Sequence, residues 1–142
     1  MNLAIFARSN ALRLIVLTSA MAIVCGCGLS GPAHGPAASN AAAVVDMGFE
    51  SFSPDSVTIR AGQTVEWRNT SLITHTVTDD PKRAEMPADA GLPAGAQPFD
   101  SGDIPAGKVY LRRFPVAGTY RYFCTHHESD GMVGTIVVAP AS

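Results

Sequence analysis

The sequence predicts an all-β fold, a two-sheet β-sandwich that begins near Val44, behind an apolar leader. Three observations carry this reading. Apolar and polar residues alternate with period two from Val44 onward. No segment of useful length has a helical period. Short strand-like runs recur at regular spacing, punctuated by Gly and Pro.

Composition sets the outer bounds. The chain has 142 residues, 15% of them charged and 46% in the hydrophobic set. That suits one globular domain plus an apolar appendage and excludes a disordered chain. A domain of roughly 100 residues buries a workable but marginal core. The formal net charge is -2, with no long run of like charge, so nucleic acid is not an expected partner.

The appendage comes first. Met1 to Arg13 carries Arg8 and Arg13 and no acid, and Ala11 to Val24 is apolar except for Arg13, Thr18 and Ser19. A charged region followed by an apolar one is the pattern of an export signal. The run is too short for a membrane-spanning helix. Ile23-Val24-Cys25-Gly26-Cys27 is similar to a bacterial lipobox, which implies cleavage before Cys27 and lipid attachment to its sulfur. The alternative is ordinary cleavage a few residues later and a soluble product. The expected organisation is therefore an export signal over 1–26, a lipidated Cys27 with a tether to 43, and a folded domain over 44–142. The tether is rich in Gly, Pro, Ala and Ser and carries no charge, too little apolar surface to offset chain entropy. His34 within it is read as incidental. Removing the signal takes two of the 10 basic residues and none of the 12 acids, so the formal charge becomes -4.

The strands follow in order. Val57, Ile59, Val65 and Trp67 alternate with Thr58, Glu66 and Arg68, and Ala61-Gly62 between the runs reads as a hairpin turn. Thr76 to Thr78 continues in strand-favouring residues. Lys108 to Phe114 and Thr119 to Cys124 are two further strands, separated by Pro115-Val116-Ala117-Gly118. Met132 to Ala139 ends the domain with a β-branched run. Asp79 to Phe99 breaks the spacing and reads as a long loop, with one short helical turn near Ala84 to Met86.

Cysteine usage sharpens the reading. With Cys25 and Cys27 in the export segment, Cys124 is the one thiol of the folded domain. A lone thiol there is inert and buried, paired between chains, or a ligand. Its neighbours favour a ligand. In Cys124-Thr125-His126-His127-Glu128-Ser129-Asp130-Gly131-Met132 a thiolate, imidazole and thioether share one turn-forming loop at a strand end. Soft sulfur with imidazole suits copper, and two His, one Cys and a weak Met make a trigonal blue-copper site. A further imidazole must come from elsewhere in the fold. The domain offers His75, His126 and His127, and His75 at a strand start is well placed. Spacing favours His127 over His126 as the loop ligand. Taken singly, each residue has a plainer role: a surface histidine, a buried thiol, a core methionine.

Further motifs surround these residues: Phe52-Ser53-Pro54 with Val57-Thr58-Ile59, Ala61-Gly62-Gln63-Thr64-Val65-Glu66-Trp67, Asn69 ahead of His75, and Phe99-Asp100-Ser101-Gly102. Gly118-Thr119-Tyr120-Arg121-Tyr122-Phe123-Cys124 and Gly131-Met132-Val133-Gly134 complete the set. From Val44 to Ala139 the chain resembles a plastocyanin-type cupredoxin, down to the Cys-x-x-His-x-x-x-x-Met spacing. The resemblance implies a Greek-key sandwich, one type 1 copper and outer-sphere electron transfer. It assigns His75 as upstream ligand, Cys124 and His127 as loop ligands, and Met132 as the weak axial one. Two features depart from it. Thr74 and Thr76 stand where plant members have Pro and Asn around the first His; the Asn side chain helps pin the ligand loop, and a Thr hydroxyl is the available substitute, which leaves loop rigidity and potential open. Phe123 stands where they have Tyr, which weakens any polar docking route through that residue.

The expected function is a single-copper shuttle between extracytoplasmic redox proteins, with a cytochrome or membrane oxidoreductase as donor and acceptor, acting as a lipid-anchored monomer. Leu72 and Ile73, on the loop before His75, are candidates for an apolar docking patch, with electrons leaving by the His127 edge. With four ligands no coordination position is left for substrate, so an enzyme is not expected. Two other classes compete: a copper carrier or storage module, and a copper-free β-sandwich at the cell surface.

Overall fold

The computed structural model describes residues 39–142. The export signal, the lipobox at Cys27, His34 and most of the tether lie outside the described residues.

Among the described residues seven strands form two sheets: β1 (Ala43–Met47), β2 (Phe52–Ser53), β3 (Ser56–Arg60), β4 (Thr64–Asn69), β5 (Val109–Arg113), β6 (Gly118–Phe123) and β7 (Val133–Ala139). One sheet has the order β2-β1-β4-β5 and the other β3-β7-β6. Just ahead of β1 the Ala42 N–H donates to the Thr64 carbonyl at 2.8 Å. β1 then runs parallel to β4, with Val45 opposite Trp67. β3 runs parallel to β7. The β-sandwich is as expected.

Two local expectations are corrected. Ala61-Gly62 does not close a hairpin, because β3 and β4 lie in different sheets. The turn carries the chain across the sandwich, with Gly62 at φ 90° and the Gln63 N–H on the Arg60 carbonyl. Alternation shows which side chains face inward, not which strand is the partner. The helical turn at Ala84 to Met86 is also absent. The Glu85 and Met86 N–H groups instead donate to the buried carboxylate of Glu128, both at 2.9 Å. Thr76 to Thr78 joins no named strand but is held by isolated bridges, His75 to Ile104 and Thr78 to both Asp100 and Phe123.

The core follows from the alternation. Val65, Trp67 and Asn69 on β4, Tyr120 and Tyr122 on β6, and Ile136 and Val138 on β7 point inward. The Trp67 ring meets Tyr122 edge-on at 5.3 Å between centroids and approaches Phe114 and Phe99 at 6.2 Å each. Such geometries add to simple area burial. Gly134 is required here, since a Cβ would fall within the Tyr122 ring. The cluster holds β4, β6 and β7 in a fixed relation, and the ends of β4 and β6 lead into the candidate site.

Candidate metal centre

β4 ends at Asn69, and Asn69 shapes the loop that follows. Its side-chain Nδ2 donates to the carbonyls of Ile73 at 2.7 Å and Ile104 at 2.8 Å, and its Oδ1 accepts the Ser71 N–H at 3.0 Å. His75 is then delivered on a bridge to Ile104, with backbone hydrogen bonds in both directions at 3.2 and 2.7 Å. A buried polar residue that satisfies carbonyls from two segments fixes both.

Cys124 comes directly after β6 and Met132 directly before β7. These strands are antiparallel neighbours, so the loop between them must turn back at once. Its ends are tied by the Cys124 N–H on the Met132 carbonyl at 3.0 Å. Inside the loop the His127 N–H donates to the Cys124 carbonyl and the Met132 N–H to the His127 carbonyl, each at 3.1 Å. Thr76 adds a cross-tie, its hydroxyl oxygen accepting the Thr125 N–H at 2.8 Å. The Thr76 hydroxyl thus ties the upstream segment to the loop that follows Cys124.

These constraints bring three donor atoms together. Among the described residues His75, Cys124 and His127 form one group whose ligand atoms all lie within 4.8 Å of one another. Cys124 Sγ is 3.8 Å from His75 Nδ1 and 3.4 Å from His127 Nδ1. The sulfur also accepts the Thr76 N–H at 3.3 Å. An amide hydrogen bond of this kind fixes the position of the sulfur. His75 and Cys124 are buried and His127 is half-buried. Burial, with His127 adding a smaller effect, holds the His75 pKa below its usual value and so favours the neutral, ligating ring. Met132 is fully buried at the loop's end.

His126 stands apart. Its ring is exposed and its Nε2 lies 2.8 Å from Asp103 Oδ1. Leu72 is 95% exposed, while Ile73 is half-buried. Phe123 is fully buried and its backbone pairs with Thr78, so no aromatic face reaches solvent at that position. Sequence reasoning missed three participants: Ser71, whose hydroxyl meets His75 Nε2 at 2.9 Å; Ile104, which brackets His75; and Glu128. Ser71, four residues ahead of His75, offered a weak signal. Ile104 and Glu128 offered none, because their partners are distant in the chain.

A thiolate between two imidazole nitrogens, buried and without a carboxylate among them, is a donor set for a soft or borderline ion. On a β-sandwich of this size it defines the class of small single-copper proteins. Comparison with known proteins reaches the same class. Residues 39–139 match the copper binding proteins of the plastocyanin/azurin family. The chain belongs to that family and is a plastocyanin-like cupredoxin. It is 42% identical over 93 residues to the plastocyanin of Scenedesmus fuscus, covering 66% of this chain and 91% of that protein. It is 34% identical over 96 residues to the plastocyanin of Nostoc punctiforme, covering 66% and 68%. Among solved structures it is similar to amicyanin from Paracoccus versutus, with TM-score 0.54 and 29% identity over 70% of this chain and 82% of that one. The cofactor is one type 1 copper, and the general function is single-copper electron transfer.

Proposed function

We propose that the chain is a one-electron shuttle between extracytoplasmic redox proteins, whose copper would be held by His75 Nδ1, Cys124 Sγ and His127 Nδ1, with Met132 as a weaker fourth ligand. Bound there, copper supplies reversible one-electron transfer between its cuprous and cupric states. The protein keeps the donor atoms in place in both states. The observation that carries the reading is the convergence of three ligand atoms within 4.8 Å on loops already tied by backbone hydrogen bonds. A prearranged cage suits fast electron exchange better than copper handover.

The half-exposed edge of His127 is the exit for electrons, with the exposed Leu72 and the adjoining Ile73 as apolar contacts for a partner. The burial of Phe123 supports this end of the molecule over a lateral route. Donor and acceptor are redox proteins such as a cytochrome or a membrane oxidoreductase. The domain works as an exported monomer tethered through a lipid on Cys27.

Absorption and EPR spectra of the copper-loaded chain test the centre. An intense thiolate-to-copper band with a narrow copper hyperfine splitting is expected, and Cys124→Ser removes it. A loaded chain with neither signature refutes the assignment. The anchor is tested separately, since Cys27→Ser should release the protein from the membrane fraction.

A further inference from the structure

His75 is fully buried, and its two ring nitrogens face different groups. Nδ1 looks toward Cys124 Sγ at 3.8 Å and Nε2 toward Ser71 Oγ at 2.9 Å, and the Gly48 backbone is a further hydrogen-bond partner of the ring. A neutral imidazole carries one proton, so only one of these nitrogens can offer a lone pair to a metal. The neighbouring hydrogen bonds decide which.

Asn69 fixes the direction of these hydrogen bonds. Its Nδ2 is within 2.7 and 2.8 Å of two carbonyl oxygens, those of Ile73 and Ile104. Carbonyls only accept, so that atom is the amide nitrogen and the opposite atom is the oxygen. This oxygen, Oδ1, lies 2.8 Å from Ser71 Oγ. Two oxygens at that distance need a proton between them, and an amide oxygen has none to give. The Ser71 hydroxyl therefore donates to Asn69. The Ile73 carbonyl at 3.2 Å is a second, longer acceptor for the same proton, so with its one proton held by these two oxygens the hydroxyl can only accept toward Ile73 N–H at 3.3 Å and His75 Nε2. Nε2 must then carry the proton, and Nδ1 keeps its lone pair on the side of the thiol.

We propose that Ser71 is a positioning residue for the metal site, whose hydroxyl, oriented by Asn69, sets the tautomer and ring angle of His75 before copper arrives. The inference rests on the copper-ligand reading above and adds a chain-specific device to it. A side-chain hydroxyl four residues ahead of the ligand, itself held by the amide at the end of β4, couples the close of that strand to the geometry of the ligand. Outer-shell partners of this kind typically change metal affinity by about 10–100-fold when removed.

The test uses the full chain, metal-free and loaded with cuprous ion, with nitrogen-15 labelled histidine. In the metal-free wild type the His75 ring should show a slowly exchanging Nε2–H proton with a nuclear Overhauser contact to the Ser71 β protons. Ser71→Ala should lose the slow exchange and bind cuprous ion about 10–100-fold more weakly in chelator competition. Ser71→Thr, which keeps the hydroxyl, should restore both. A proton on Nδ1 in the metal-free wild type overturns the proposal, as does a Ser71→Ala protein that keeps the slow proton and the wild-type affinity. Should Ser71→Ala fail to fold, the wild-type proton and its Ser71 contact still decide the matter. Failure of the copper reading is distinct: it would appear as a loaded wild-type chain without the blue band, whatever the metal-free ring shows.

Discussion

Thr76 works from both its backbone and its side chain. Its N–H reaches the Cys124 sulfur, and its buried hydroxyl meets the Thr125 N–H at 2.8 Å and the Thr125 hydroxyl at 3.0 Å. One residue on the upstream segment thus holds both the sulfur and the first residue after it. Thr76→Val keeps the shape and removes the acceptor, leaving the Thr125 N–H unpartnered. An unsatisfied group of this kind costs about 1–3 kcal/mol. Urea unfolding of the metal-free protein should show a loss of that size. A midpoint unchanged from wild type would mean that water takes over the bond.

At the scale of elements, the long loop from Asp79 to Phe99 is tied to the ligand loop by one carboxylate. Glu128 follows His127 directly and is buried, yet it accepts two consecutive backbone N–H groups from Glu85 and Met86. Hydrogen bonds to a charged acceptor contribute roughly 1.5–3 kcal/mol each. The tie also explains why no helical turn forms at Ala84 to Met86, since the amides that would start one are engaged elsewhere. Glu128→Ala should release this segment. Amide hydrogen exchange at Glu85 and Met86 should become much faster, while the β6–β7 amides stay protected. Equal protection in the variant would show that the loop is held by its other contacts, among them the Thr78–Phe123 pairing and the Arg83–Asp100 ion pair.

At the scale of the whole molecule, two properties follow from where charge and apolar surface lie. Asp79 is fully buried; its Oδ1 accepts the Phe99 N–H at 2.7 Å and its Oδ2 has no partner among the described residues. Burial pushes its pKa up from 3.8 to about 6. The folded state therefore binds this proton more tightly than the unfolded one. Stability is unaffected by this group below its unfolded pKa and falls as pH rises toward the folded value. At about 1.4 kcal/mol per pKa unit the loss by neutral pH is roughly 3 kcal/mol. Asp79→Asn should be more stable than wild type at pH 7.5 by an amount of this order and nearly equal to it at pH 3.5. A constant difference across that range would assign the effect to packing. The second property is the exposed Leu72 beside the metal loops. Leu72→Asp should leave the absorption band intact and slow electron exchange with a partner protein by about tenfold or more, read by stopped-flow mixing. Unchanged rates would remove Leu72 from the contact surface.

The β class, the inward-facing residues of the strands and, through chemistry and spacing, the candidate donor atoms of the loop from Cys124 to Met132 are legible in the sequence alone. Period-two alternation is a local property, and so is the run from Cys124 to Met132, where sulfur and imidazole are placed by a few bonds. Tertiary structure decided which strands pair and which distant groups meet. Ala61-Gly62 looks the same in sequence whether it closes a hairpin or crosses between sheets, because register and partner depend on residues far along the chain. The arrival of His75 beside Cys124, 49 residues away, depends on Ile104 and Asn69. The Glu128 carboxylate and the Ser71 hydroxyl acquire their roles from hydrogen-bond partners that only the folded backbone supplies.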